Sequence, residues 1–146
     1  MHPTAARALF DADICTLTQA LASRRGWFIH STEFPVVDCS FTAAGRTTLR
    51  LKIMCDNWND LPPSISLHTA DGTLFMKLPP NLSGVFNSGP HPTTGRPFIC
   101  MKGSLEYHTH PSHLADPWGE NLRNSSSYTI GGILTQIWNA WLKETG

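Results

Sequence analysis

The sequence predicts an α+β fold in which helices flank a small antiparallel sheet. Three observations indicate it: apolar residues at helical spacing near the N-terminus, four strand-like segments joined by short turns, and a strongly amphipathic segment near the C-terminus. With 146 residues, the chain has the length of one domain, and we expect residues 1–146 to form a single unit.

Charge and composition argue against several functional classes. Lys plus Arg and Asp plus Glu both number 11, so the formal net charge is zero. Binding to nucleic acid or to an anionic membrane surface needs a basic face, which this balance does not predict. The first residues lack a signal-peptide layout, and no apolar run reaches the ~18–20 residues that span a bilayer. We therefore expect a cytoplasmic protein with no nucleic-acid or membrane partner, whose four cysteines are reduced thiols.

The first helix is predicted from Thr4 to Ser23, with Thr4 as its cap and Gly26 as its end. One apolar stripe at helical spacing supports it: Phe10, Ile14, Leu17 and Leu21.

Four strands follow in order. The first two are predicted at Trp27–Glu33 and Val36–Thr42, and Ala43 to Arg46 is a plausible hairpin connection. The third has the clearest alternation, with one apolar face formed by Leu49, Leu51, Ile53 and Cys55. After a break at Leu61-Pro62-Pro63, the fourth points Ile65 and Leu67 inwards. Consecutive strands with short connections favour an antiparallel meander.

Regular patterning fades from Ala70 to Ser127, where seven prolines oppose long helices and central strands. Long irregular segments in compact domains are often functional. A helix is predicted from Tyr128 to Lys143 with Ser127 as its cap. Its two glycines, Gly131 and Gly132, are expected to allow close packing against another backbone.

Cys100 is the residue on which the function depends. The other cysteines, Cys15, Cys39 and Cys55, lie in helix or strand patterns typical of buried residues. Cys100 instead lies between proline-rich and polar segments, so a nucleophile, a metal ligand and a core residue are all open. No histidine with an Asn or Asp partner is recognisable in the context of a cysteine protease.

A histidine-rich segment follows Cys100. Carboxylate and His-x-His donors suit zinc, although their spacing matches no common zinc motif: Glu106, His108, His110 and His113. The alternatives are a solvated loop and acid–base assistance to Cys100. His91 is expected mainly to brace its loop, with a direct catalytic role as the alternative.

The order of these pieces resembles the ubiquitin-conjugating enzymes, and more closely their short bacterial members. The resemblance covers most of the chain and lies in the pieces Leu61-Pro62-Pro63, His91-Pro92-Thr93, Gly95-Arg96-Pro97-Phe98-Ile99-Cys100-Met101, Trp118 and the helix up to Trp141. Such bacterial members are encoded beside a ubiquitin-like protein, an activating enzyme and a metal-dependent deconjugating peptidase, and some of these sets act in antiviral defence.

The resemblance implies a conjugating enzyme with catalytic residues Cys100, His91 and Thr93. Cys100 would receive a ubiquitin-like protein as a thioester from an activating enzyme and pass it to an amine of an acceptor protein. No cofactor is predicted. The N-terminal helix with Arg7 would help to dock the activating enzyme.

One departure from the family pattern matters for the chemistry, and two further points leave alternatives open. The asparagine credited with oxyanion stabilisation is Thr93 here, and the Thr93 hydroxyl, Asn87 or a backbone N–H are open as replacements. Asp116 or Glu120 could orient the incoming amine, or simply be solvated. Finally, a bacterial family with Cys, Glu, His and His is proposed to bind metal. A non-enzymatic zinc module is therefore the competing hypothesis, using Cys100, Glu106, His108, and His110 or His113.

Overall fold

The computed structural model describes residues 1–17 and 19–146, and it confirms the predicted α+β class. An N-terminal helical region precedes a four-stranded antiparallel sheet, and a long C-terminal helix ends the chain. This arrangement agrees with the expected architecture of the ubiquitin-conjugating enzymes. No helix among the described residues has the length and apolar character needed to cross a membrane.

The sheet is a meander with strand order β1-β2-β3-β4. The strands are β1 (Trp27–Ser31), β2 (Val36–Phe41), β3 (Leu49–Met54) and β4 (Ser64–His68). The predicted alternation is confirmed, because Val37, Leu51 and Ile65 face the core while Asp38 and Lys52 lie on the other face. Partners across β2 and β3 keep these faces in register, for example Val37 with Ile53.

The predicted continuous first helix is wrong, because the structure divides it into α1 (Pro3–Ile14) and α2 (Gln19–Arg25). Position 18 of that prediction lies outside the described residues. Turn residues end α1, where the Thr16 hydroxyl donates to the Asp13 carbonyl at 2.7 Å in competition with helix bonding. The predicted cap is also wrong, since His2 accepts from the Thr4 N–H. Gly26 follows α2 with a φ of 73°, as expected for a helix end.

Short elements interrupt the segment predicted as irregular. Strands β5 (Phe86–Asn87) and β6 (Phe98–Ile99) pair with each other, and α3 (Leu105–Thr109) and α4 (Glu120–Arg123) follow. A 3-10 turn at Pro111–His113 lies between the two helices. The prolines do forbid long helices here, but they leave room for a five-residue helix capped by the Ser104 hydroxyl.

The C-terminal helix, α5 (Ile130–Thr145), begins two residues later than predicted, and its cap is Thr129 rather than Ser127. A residue from the N-terminal half of the chain satisfies each end of α5. The Asp13 carboxylate accepts the Ile130 N–H, and the Arg46 guanidinium donates to the Leu142 carbonyl at 2.6 Å. These charges match the helix dipole, with an anion at its N-terminus and a cation at its C-terminus.

Close backbone packing at α5 is confirmed for one of its two glycines. A Cβ on Gly132 would lie 2.5 Å from the Ser126 carbonyl oxygen, whereas a Cβ on Gly131 meets only Leu17 Cδ1 at 3.8 Å. Gly132 is therefore required by the preceding turn.

Candidate functional site

Cys100 directly follows β6, and its backbone is fixed from two directions. Its N–H donates to the Val85 carbonyl at 2.7 Å, and the two residues before it, Phe98 and Ile99, are buried in the interior. The side chain is partly exposed, and burial raises the pKa of its thiol. These contacts hold the Cys100 thiol at the edge of the core rather than inside it.

His91 braces the loop that leads to Cys100. It is 1% exposed, its Nδ1 accepts from the Thr93 N–H at 3.1 Å, and its Nε2–H donates to the Glu106 carbonyl at 2.8 Å. These partners assign the Nε2–H tautomer of a neutral ring. None of the hydrogen bonds described for His91 goes to Cys100, so the geometry supports the bracing role, and a direct catalytic role for His91 stays a prediction.

Glu106 lies on α3 and anchors this helix to the sheet. Its carboxylate accepts from the Ile65 N–H at 2.6 Å and from the Ser64 hydroxyl at 2.9 Å. The side chain is 4% exposed, and burial raises its pKa, while these two hydrogen bonds oppose that shift. Glu106 therefore has a structural use for both of its oxygens.

His108 is engaged at both ring nitrogens. Its Nε2 accepts from the Gly103 N–H at 3.1 Å, and its Nδ1 donates to the Asp116 carbonyl at 2.8 Å. Burial lowers its pKa, which favours the neutral ring that this pattern requires. Neither nitrogen has a lone pair left for a metal ion.

The ligand set of the zinc hypothesis does not converge in the structure. Glu106 and His108 bind other partners, as described above. Across residues 1–17 and 19–146, no three His, Cys, Asp or Glu side chains are grouped so as to hold a metal ion. The geometry therefore does not support the competing zinc hypothesis, because the sequence neighbours of Cys100 lie on a helix and a turn whose side chains have different partners.

One of the four histidine-segment residues does reach Cys100. His113 Nε2 lies 3.4 Å from Cys100 Sγ, within hydrogen-bond distance for sulfur. His110, in contrast, stacks on Phe98 with ring centroids 5.7 Å apart, and its Nδ1 accepts from the Ser112 N–H. Of the residues in this segment, His113 is therefore the one next to the Cys100 thiol.

Tyr107 is a site residue that the sequence analysis missed. Its ring stacks on His113 with centroids 4.0 Å apart and planes 16° apart. Its hydroxyl donates to the Asp116 carboxylate at 2.7 Å, which raises the pKa of Tyr107 to about 12 and helps to lower that of Asp116. Asp116 also pairs with Lys102 at 3.3 Å. The sequence did offer one signal. Ser104 is a typical helix cap, and a helix that begins after it carries Tyr107 together with His108.

The residues considered for the oxyanion and for the amine differ in their availability. The Thr93 side chain is exposed, while the Asn87 side-chain oxygen accepts from the Gly89 N–H at 2.8 Å and leaves its amide N–H₂ to act as a donor. Glu120 is exposed, and Asp116 is held by Tyr107 and Lys102. A groove of about 560 Å³ is lined by Asp116, Pro117, Gly119, Glu120, Asn121 and Leu122.

Comparison with known proteins gives a match to part of the chain. No curated protein matches it. The model of the Y4jH-like family, described as the Y4jH family, matches residues 87–145, a segment that begins at β5, contains Cys100, Tyr107 and His113, and ends within α5.

Proposed function

We propose that this protein is a conjugating enzyme that carries a ubiquitin-like protein as a thioester on Cys100. The observation that carries the proposal is the position of this thiol, which is partly exposed on a rigid backbone and faces a histidine. A carrier thiol must be reachable by another polypeptide and must be held in a fixed orientation.

The other cysteines are less suited to this role. Cys39 and Cys55 are 0% and 2% exposed, and burial raises the pKa of Cys39 to about 12 and that of Cys55 further. Cys15 is exposed on the turn after α1, but its thiol donates only to the Asp11 carbonyl of that helix among the described contacts. Cys100 alone combines exposure with a titratable neighbour among the described contacts.

The proposed reaction exchanges one acyl bond for another. The Cys100 thiolate attacks the thioester carbonyl carbon on the activating enzyme, a new C–S bond forms, and the activating enzyme's thiolate leaves. An acceptor amine then attacks the same carbon, the C–S bond to Cys100 breaks, and the amine proton passes to a base or to water. Because a thioester is already activated, the enzyme mainly has to orient the partners and stabilise the oxyanion.

The surroundings suit a macromolecular substrate. The groove beside Asp116 offers surface next to Tyr107, the residue that stacks on His113, and His91 joins the loop before Cys100 to α3. Thr93 and Asn87 are the side chains available for the oxyanion. Arg7 is exposed on α1 and pairs only with Asp11 at 3.6 Å among the described ion pairs, so it is accessible to an activating enzyme.

The test is intact-mass analysis after incubation with ATP and with a ubiquitin-like protein and activating enzyme from the same genome. We expect an adduct that a thiol reductant removes, that is lost in Cys100→Ala, and that persists in Cys15→Ala, the matched control at the other exposed cysteine. Absence of the adduct, or an adduct that survives in Cys100→Ala, overturns the proposal. Stoichiometric zinc without an adduct would favour the zinc module instead.

A further inference from the structure

We propose that His113 takes the proton from the Cys100 thiol, and that Tyr107 holds His113 in place and stabilises its protonated form. The proposal deepens the proposed function, on which it rests only for the acyl-transfer step. It assigns to this chain a proton acceptor that the thioester chemistry by itself does not demand.

The first support is the short contact between two held groups. His113 Nε2 lies 3.4 Å from Cys100 Sγ, and Cys100 is fixed through its N–H to Val85. His113 ends the 3-10 turn that starts at Pro111, whose ring fixes the backbone at the first position of the turn. The turn is capped by His110, so the imidazole is placed by local structure.

The second support is the stacking of His113 on Tyr107. A cation is attracted to the face of an aromatic ring, and a nearly parallel imidazolium at 4.0 Å is in contact with that face. The Tyr107 hydroxyl donates to the Asp116 carboxylate, which fixes the ring and adds electron density to it. Both contacts hold the His113 ring beside Cys100 and place an aromatic face against the imidazolium that the proton transfer creates.

The other charged and titratable groups near His113 are Lys102, His108, His110 and Asp116. Lys102 and Asp116 form an ion pair of opposite charges at the far end of Tyr107. The His110 ring centroid lies 6.0 Å away, and burial lowers the pKa of His108, whose Nε2 accepts the Gly103 N–H. When the proton moves to His113, the Cys100 thiolate that remains is the neighbouring opposite charge.

The proposed step is a proton transfer that balances in charge. The Sγ–H bond breaks, its electron pair remains on sulfur, and the proton goes to the lone pair of His113 Nε2, which requires the Nδ1–H tautomer beforehand. Because burial alone makes the Cys100 thiol a weaker acid, an adjacent acceptor restores the thiolate needed for attack.

Alkylation of Cys100 by iodoacetamide tests this step without any protein partner. In a Cys15→Ser background, the remaining cysteines other than Cys100 are buried, so the rate reports on the Cys100 thiolate. The rate is measured from about pH 5 to pH 10 for the parent and for His113→Gln, Tyr107→Leu and Tyr107→Phe. His30→Gln, at an exposed histidine on β1 outside the site, is the matched control.

We expect His113→Gln to lower the rate at pH 7 by about tenfold or more and to move the midpoint of the profile to higher pH. Tyr107→Leu should shift the midpoint in the same direction, while Tyr107→Phe, which keeps the ring, should shift it less. His30→Gln should leave the profile unchanged. Circular dichroism confirms that each variant is folded, and Tyr107→Phe preserves the test if Tyr107→Leu fails to fold.

Superimposable profiles for the parent and His113→Gln would overturn this inference even if the thioester forms. The reverse outcome, a shifted profile with no thioester adduct, would overturn the proposed function and leave the His113 assignment standing. A midpoint that moves with His113→Gln but not with Tyr107→Leu would remove Tyr107 from the proposal.

Discussion

His91 donates its Nε2–H to the backbone carbonyl of Glu106 across 2.8 Å, which joins the loop before Cys100 to the helix after it. The Glu106 side chain continues this connection to the sheet through the Ile65 N–H. Cys100 therefore lies between two segments that are tied to each other and to β4.

Replacing His91 should destabilise the fold. His91→Ala removes two hydrogen bonds of a side chain that is 1% exposed and leaves a cavity against Phe98. We expect the free energy of unfolding to fall by about 2–4 kcal/mol in urea denaturation. Thr93→Ala, at an exposed neighbour, should change it by less than about 0.5 kcal/mol. An equal effect of the two substitutions would show that His91 is not the brace.

Glu106 should make stability depend on pH. Burial raises the pKa of Glu106 in the folded state above 4.5, so the folded state binds the proton more tightly than the unfolded state. Its stabilising contribution is therefore complete below pH 4.5 and is lost as the pH rises through the folded-state pKa, with a slope no steeper than about 1.4 kcal/mol per pH unit. Glu106→Gln should lack this loss, and urea denaturation at several pH values measures the difference.

The control for this prediction is Glu120→Gln, because Glu120 is exposed. It should follow the pH dependence of the parent. If the parent and Glu106→Gln lose stability in parallel as the pH rises, burial does not govern the titration of Glu106.

The two glycines of α5 should respond oppositely to alanine. Gly132→Ala places a methyl group 2.5 Å from the Ser126 carbonyl oxygen, so we expect a loss of about 1–3 kcal/mol in the free energy of unfolding. Gly131→Ala meets only a flexible leucine methyl at 3.8 Å, and the better helix propensity of alanine should raise stability by up to about 1 kcal/mol. Thermal and urea unfolding of the two variants provide the comparison.

The hydroxyl of Thr93 is expected to act as an oxyanion donor in acyl transfer. Thr93→Val should slow single-turnover discharge of the thioester on the order of a hundredfold, because one donor to the developing charge is lost. Thr93→Ser, which keeps the hydroxyl, should stay close to the parent. If Thr93→Val is unaffected and Asn87→Ala is slow instead, the donor is the Asn87 amide.

The sheet was predictable because its pattern is strictly local. Residues alternate between the two faces of β2 and β3, and their connections are short, so burial and pairing agree with the sequence. The break between α1 and α2 could not be predicted from the apolar pattern. The apolar stripe continues through it, since Phe10 and Leu17 are both buried, and only the Thr16 hydroxyl marks the turn.

The sequence singled out Cys100 as the centre of the candidate site, but it did not predict the contacts around that residue. The unusual surroundings of Cys100 identified it, but His110 and His113 were equivalent as sequence neighbours. Which of them reaches the thiol depends on the 3-10 turn and on stacking across α3, which are tertiary contacts. Glu106 and His108 resembled ligands because the same donor atoms that bind metals also satisfy backbone N–H groups.

The Asp13 carboxylate and the Arg46 guanidinium stand at opposite ends of the last helix, and both come from the first third of the chain. The region that matches a family model, residues 87–145, thus depends on distant partners to complete its final helix. The same dependence means that excising the matched region would separate Cys100 from Val85, whose carbonyl accepts its N–H.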